Sequence, residues 1–227
     1  MVSPRRLWTI ALLIVFLPLT AAQAGQPQTI LVSLQHSRLH LSPYPLERWQ
    51  TSLQEIEHDR LRVQRCLDQT PCRDIVAKPM ADLVIRFSGL SGRRLLSAVN
   101  RYYNSFPYIP DQVAGKPWDD WESPLIFLQR SGDCEDYAIA KYLTLRLLGV
   151  PETQMAILIM REPVRGIDHA VLLVAAEGRL IVLDNLRGLA RFEAYGDYQP
   201  LFVLTDTYSW RVRALSPAPL LQPASSQ

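Results

Sequence analysis

Three residues of this chain have the types that nucleophilic hydrolysis uses. Cys134 opens the run CEDYAIAKYLTLRLL, whose apolar residues recur at helical spacing. A thiol in the first turn of a helix faces unpaired backbone amides and the positive end of the dipole, and both favour the thiolate. His169 directly precedes the extended run AVLLVA, and Asp184 directly follows LIVL. The two runs are joined by Ala176-Glu177-Gly178-Arg179, so a tight hairpin would set positions 169 and 184 opposite each other to within a residue or two. An imidazole steadied by a carboxylate and set against a helix-end thiol is the nucleophile, base and orienting acid of a triad hydrolase.

Each residue alone has an ordinary explanation. A lone cysteine is most often a buried structural thiol. A histidine at a strand end commonly sits on the surface or in a satisfied core, and an Asp before Asn185 commonly makes a turn. The polar neighbours Gly132, Asp133, Glu135 and Asp136 argue that Cys134 is not buried. Zinc ranks low because no second Cys or His stands at ligand spacing from these residues.

The elements that must position these groups are helices first and strands after. Leu46, Trp49, Leu53 and Ile56 predict an amphipathic helix over 46–65, and a second is predicted from about Arg93 to Asn104. A loop punctuated by Pro107, Pro110 and Pro117 follows, carrying Trp118 and Trp121, which suit either a groove wall or aromatic core packing. Ser123-Pro124 reads as the cap and first turn of a short helix through Leu128, broken by Gly132. The helix from Cys134 ends at Gly149 with Pro151 beyond, and Ala138, Ile139, Tyr142, Leu145 and Leu148 form its apolar face. Runs at 155–160, 170–175, 180–183 and 201–204 read as strands, giving an α+β class with an antiparallel sheet.

Composition bounds the rest. The chain has 227 residues, 48% hydrophobic and 20% charged, with a formal net charge of +2, and its arginines are scattered, so no electrostatic footprint for nucleic acid exists. Arg5 and Arg6, an apolar run from Leu7 to Leu19, and Ala22-Gln23-Ala24 read as a signal peptide over 1–24. The run is short of the roughly 20 apolar residues that a membrane span needs, so no membrane insertion is expected after cleavage. Residues 25–215 are expected to form one domain, and 216–227, with its prolines and serines, a disordered tail. Cys66 and Cys72 flank the turn-like Gln69-Thr70-Pro71, a spacing that fits a disulfide and two independent thiols about equally. Cys134 is the odd thiol in either case.

The blocks GDCEDYAIAKYLTLRLLGVP, DHAVLLV and LIVLDNL resemble those of the bacterial transglutaminase-like cysteine proteinases, over roughly Leu95 to Thr205. The resemblance implies a papain-like, transglutaminase-type fold with Cys134, His169 and Asp184 as catalytic triad. It also implies calcium as cofactor, held by Asp133, Glu135 and Asp136 beside the nucleophile. Proteases of this kind act in the periplasm. They cleave the N-terminal region of large cell-surface adhesins at a paired-alanine site, releasing biofilm cells, and an inner-membrane cyclic-di-GMP receptor holds them inactive. Gln129-Arg130-Ser131 stands where an acidic, glycine-rich approach is expected, and Asp168 precedes the histidine.

The acidic cluster also suits a plain helix cap, with Asp133 at the N-cap and Asp136 three residues on. Three carboxylates so close to a thiol oppose its ionisation, however, unless a cation offsets them. A transglutaminase or amidase would use the same triad, because either water or an amine can attack the acyl-enzyme. A catalytically silent binding module is a third class, which the complete Cys, His and Asp set disfavours. For the oxyanion, the backbone amide of Cys134 is one expected donor, with a side chain from the region 104–121 as the second.

Overall fold

The computed structural model describes residues 29–37, 39–115 and 120–213. The expected signal peptide, the tail from residue 216, Pro117 and Trp118 lie outside the described residues.

Helix α1 (Thr29–His36) and the edge strand β1 (His40–Pro43) come first, then α2 (Glu47–Asp68), α3 (Lys78–Phe87) and α4 (Gly92–Tyr103). The short α5 (Asp111–Ala114), α6 (Pro124–Arg130) and α7 (Cys134–Leu147) follow. The remainder is β2 (Met155–Glu162), β3 (Ile167–Ala176), β4 (Arg179–Leu183), β5 (Ala190–Arg191), a 3-10 turn over Phe192–Tyr195, β6 (Gln199–Leu204) and β7 (Ser209–Arg213). The strands form one sheet in the order β1-β7-β6-β2-β3-β4-β5, every neighbouring pair antiparallel. The predicted α+β class holds. The sequence signal supplied no element for α1, β1, α3 or β7.

Alternation along the central strands sorts their side chains into two layers. Ala170, Leu172 and Val174 of β3 join the core beneath the helices, while Val171, Leu173 and Ala175 join a second core that Ile30 and Leu34 of α1 close from the other side. Because both faces are covered, β2 to β4 read as continuous apolar runs rather than as alternating ones.

Helix α2 buries Trp49, Ser52, Ile56, Asp59, Val63 and Cys66, one face at helical spacing. Cys66 is joined to Cys72 in a disulfide, which decides between the two readings of that spacing. A loop this short contributes on the order of 2 kcal/mol by chain entropy. Helix α6 starts with Pro124 at its first position as expected, but the Ser123 side chain makes no capping bond. The acceptor comes instead from α2, where Asp59 takes the N–H of Leu125 at 2.9 Å. The helix runs to Arg130 and ends at Ser131, at φ 61°, one residue before the glycine predicted to break it.

Helix α7 lies at the centre, packed against β2 and β3 and against α2, α3, α4 and α6. Periodicity predicted one apolar face. Instead every residue from Glu135 to Leu145 is buried, including Glu135, Asp136, Lys141 and Thr144, whereas Leu148 is only partly covered.

Candidate active site

Cys134 is the first residue of α7, as the sequence indicates. Its approach is fixed by Gly132, whose carbonyl accepts the N–H of Ile109 at 2.9 Å and which pairs with Tyr108 in an isolated parallel bridge. A Cβ on Gly132 would lie 2.0 Å from Asp136 Oδ2, a fully buried atom with no room to withdraw. Gly132→Ala is therefore expected to lower the thermal midpoint by roughly 6–12 °C, the shift that follows from a few kcal/mol of backbone displacement in a domain of this size. A melt within 2 °C of the parent, by the same rule about 1 kcal/mol or less, would show that the loop can move aside.

His169 sits within β3, opposite Met160 of β2, rather than just before the strand, because β3 begins at Ile167, three residues earlier than its apolar run. The β3–β4 hairpin closes through Glu177-Gly178, with Ala176 paired to Arg179. Both loop residues have positive φ, 54° and 71°, the conformation whose twist matches the flanking strands. The resulting register brings His169 Nε2 to 3.0 Å from Asp184 Oδ1, both side chains buried. Asp184 Oδ1 also accepts the N–H of Leu186 at 2.8 Å, and Oδ2 accepts the hydroxyl of Tyr195 at 2.7 Å. Burial opposes ionisation of Asp184, but the bond from His169 and these two further donors outweigh it and hold its pKa below the ordinary value. With Nε2 engaged, Nδ1 is the imidazole nitrogen that remains to serve a thiol.

Cys134 and His169 line one cleft of 420 Å³, whose walls include Tyr108, Pro110, Trp121, Ile159 and Phe202. Trp121 fills both roles open to it, facing the cleft and meeting Trp49 edge-on at 6.4 Å. Asp168 is tied across the β2–β3 pair to Arg161 by two bonds of 2.7 and 3.0 Å. Asn104, within the region expected to supply an oxyanion donor, is committed elsewhere. It donates to the carbonyls of Asp184 and Arg187 at 2.7 and 3.2 Å and accepts from Lys141 Nζ at 2.8 Å. Lys141 is wholly enclosed, and burial pushes its pKa down to about 7 against the pull of Asp184.

The acidic neighbours of Cys134 do not keep it open to solvent as their polarity suggests: Glu135 and Asp136 are themselves buried, and the thiol is half-buried. Asp136 closes the reach-back arm of a capping box, accepting the N–H of Asp133 at 3.1 Å through Oδ2. Its Oδ1 takes the N–H of Glu122 at 2.7 Å. The cluster gains a member that sequence missed. Carboxylate oxygens of Asp111, Asp133 and Asp136 lie within 4.8 Å of one another, as do the ligand atoms of Asp133, Cys134 and Glu135. Asp111 opens the short α5 directly after Pro110, in a proline-punctuated stretch where nothing local marks it.

Without a cation these groups favour protons. Burial first, then the charge of Asp133, pushes Glu135 up to about 9, and burial pushes Asp136 up to about 8 against its two backbone donors. The Cys134 thiol is driven well above its ordinary value by burial and by Glu135, whose carboxylate accepts its proton at 3.1 Å, while the backbone N–H of Ala170 pulls the other way. Convergent carboxylate oxygens are the donor set of a hard divalent ion such as calcium, which would be held by Asp111, Asp133 and Asp136 with Glu135 alongside. When bound, such an ion offsets the negative charge that suppresses the thiolate.

The sequence model of the family described as bacterial transglutaminase-like cysteine proteinase BTLCP matches residues 82–209. LapG of Legionella pneumophila superposes with a TM-score of 0.54 at 27% identity, over 69% of this chain and 87% of that one. Its calcium-bound form superposes with a TM-score of 0.55 at 26% identity, over 73% of this chain and 92% of that one, and its EGTA-treated form with 0.55 at 27%, over 71% and 88%. No curated protein matches in sequence. The chain belongs to the bacterial transglutaminase-like cysteine proteinases and is a cysteine protease of the LapG type.

Proposed function

We propose that this protein is a calcium-dependent cysteine endopeptidase of the periplasm that cuts the N-terminal region of a large cell-surface adhesin at a paired-alanine site and so controls attachment and release of biofilm cells. The observation that carries the reading is that His169, bonded to the buried Asp184, lines the same cleft as Cys134 beside a largely buried set of carboxylates. In this assignment Cys134 attacks the scissile carbonyl, His169 takes the thiol proton through Nδ1 and later delivers it to the leaving amine, and Asp184 holds the imidazole. The backbone amide of Cys134 faces the developing oxyanion.

The signal-like segment and the Cys66–Cys72 disulfide support export to an oxidising compartment. Among the described residues no helix is long and apolar enough to cross a membrane. The calcium-bound and EGTA-treated forms of LapG support calcium as the cation. Inhibition by an inner-membrane cyclic-di-GMP receptor is the regulation that accompanies this reading.

Purified enzyme mixed with the N-terminal segment of the largest adhesin of the same genome should make one cut, between adjacent alanines, as mapped by mass spectrometry of the fragments. No cut with calcium present would sink the substrate assignment. N-terminal sequencing of the protein recovered from the periplasm should begin close to Gly25; an intact Met1 end in the membrane fraction would make the apolar run an anchor.

A further inference from the structure

We infer that Tyr195 is a positioning residue of the triad, its hydroxyl fixing the rotation of the Asp184 carboxylate so that Oδ1 stays aligned with His169. The inference rests on the triad proposed above. Asp184 is held at three separate places, and each hold does a different thing. Its main chain is pinned by Asn104, which donates to its carbonyl at 2.7 Å and is itself steadied by the buried Lys141 ammonium at 2.8 Å. Its Oδ1 carries the local turn bond from Leu186 N–H and the bond to His169. Those two bonds share one oxygen, so the carboxylate can still swing about it. Among the described residues, only the 2.7 Å bond from Tyr195 to Oδ2 removes that freedom.

Tyr195 is built for this role. It lies in the 3-10 turn after β5, 3% exposed, with Arg187 stacked 5.3 Å over its ring and Tyr198 at 5.4 Å. A phenol so enclosed needs a hydrogen-bond partner, and Asp184 is that partner. Burial and the neighbouring carboxylate raise its pKa, so it remains the donor throughout the working range. A donor to the charged form also favours ionised Asp184, the form that supports an imidazolium. The charged and titratable groups facing Asp184 are His169 from β3, Lys141 from α7 and Tyr195, with Arg187 beyond the phenol ring.

The test is the rate at which iodoacetamide alkylates Cys134, the free thiol beside a bonded pair, measured in calcium-loaded protein across pH. It needs no adhesin, so a wrong substrate leaves it intact. Tyr195→Phe keeps the ring and deletes one oxygen. Alkylation near neutral pH should slow roughly tenfold, the scale of one lost hydrogen bond to a charged group, and the acid limb of the profile should move to higher pH. In an Asp184→Asn background the same substitution should change the rate by less than about twofold, because the hydroxyl acts only through that carboxylate. A wild-type rate in Tyr195→Phe, or an equal loss in both backgrounds, overturns the inference. If His169→Ala alkylates as the parent does, the triad itself is wrong and the inference goes with it.

Discussion

Cys134→Ala is expected to abolish proteolysis and leave the protein folded. The thiol sits half-buried on a cleft wall at a helix start, so its loss removes one sulfur with its bonds to Glu135 and the Ala170 N–H and leaves the capping box of α7 in place. Loss of a triad nucleophile costs on the order of 10⁴ to 10⁶ in kcat, since what remains is oxyanion stabilisation and binding. The thermal midpoint should stay within about 4 °C of the parent, which corresponds to roughly 1–2 kcal/mol in a domain of this size. His169→Ala should match the kinetic loss. Asp184→Asn should cost comparably or less, because it disturbs the orientation and charge support of the imidazole while the nucleophile stays in place. Steady-state cleavage with a thermal melt on each variant decides the matter, and near-normal cleavage by Cys134→Ala would end the mechanism.

Removal of calcium is expected to stop cleavage reversibly, with calcium restoring activity better than magnesium and a zinc-selective chelator having no effect. Asp111→Asn and Asp133→Asn should copy the chelator. Asp136 variants cannot separate metal binding from folding, because that carboxylate also holds the N–H groups of Glu122 and Asp133. The same cluster fixes a pH dependence of stability in metal-free protein. Glu135 and Asp136 are raised to about 9 and about 8, so folding takes up protons on both once pH exceeds their ordinary values near 4. Stability from these groups is complete below pH 4 and is lost as pH rises through 8 and 9. Lys141, lowered to about 7, acts with the opposite sign, but only between pH 7 and its ordinary value. Between pH 5 and 7 Lys141 therefore does not oppose the carboxyls, to which the raised Glu55 and Asp206 add with the same sign, and the midpoint should fall steadily across that window. Bound calcium would keep Glu135 and Asp136 ionised in the folded state, so its addition is expected to flatten the curve. Full-rate cleavage under chelation, with no calcium binding in calorimetry, would reduce the cluster to a helix cap.

Sequence by itself determined the parts of the site that depend on near neighbours. A cap, a run at helical spacing and a terminating Gly149 place Cys134 at a helix start, because capping and period act within one or two turns. The two-residue turn at Glu177-Gly178 sets the β3–β4 register, so the meeting of His169 and Asp184 was legible by counting residues outward from it. Tertiary structure alone decided what lies around them. Asp111 joins the acidic cluster through a bridge between Tyr108 and Gly132, which no local pattern encodes. Tyr195 reaches Asp184 from a turn beyond β5, and Asp59 caps α6 from α2. Periodicity promised α7 one apolar face, yet six neighbouring elements enclose it, Glu135, Asp136 and Lys141 included. That enclosure is a sum over contacts distant in sequence, and it supplies the desolvation that turns these ordinary ionisable residues into groups with shifted pKa values.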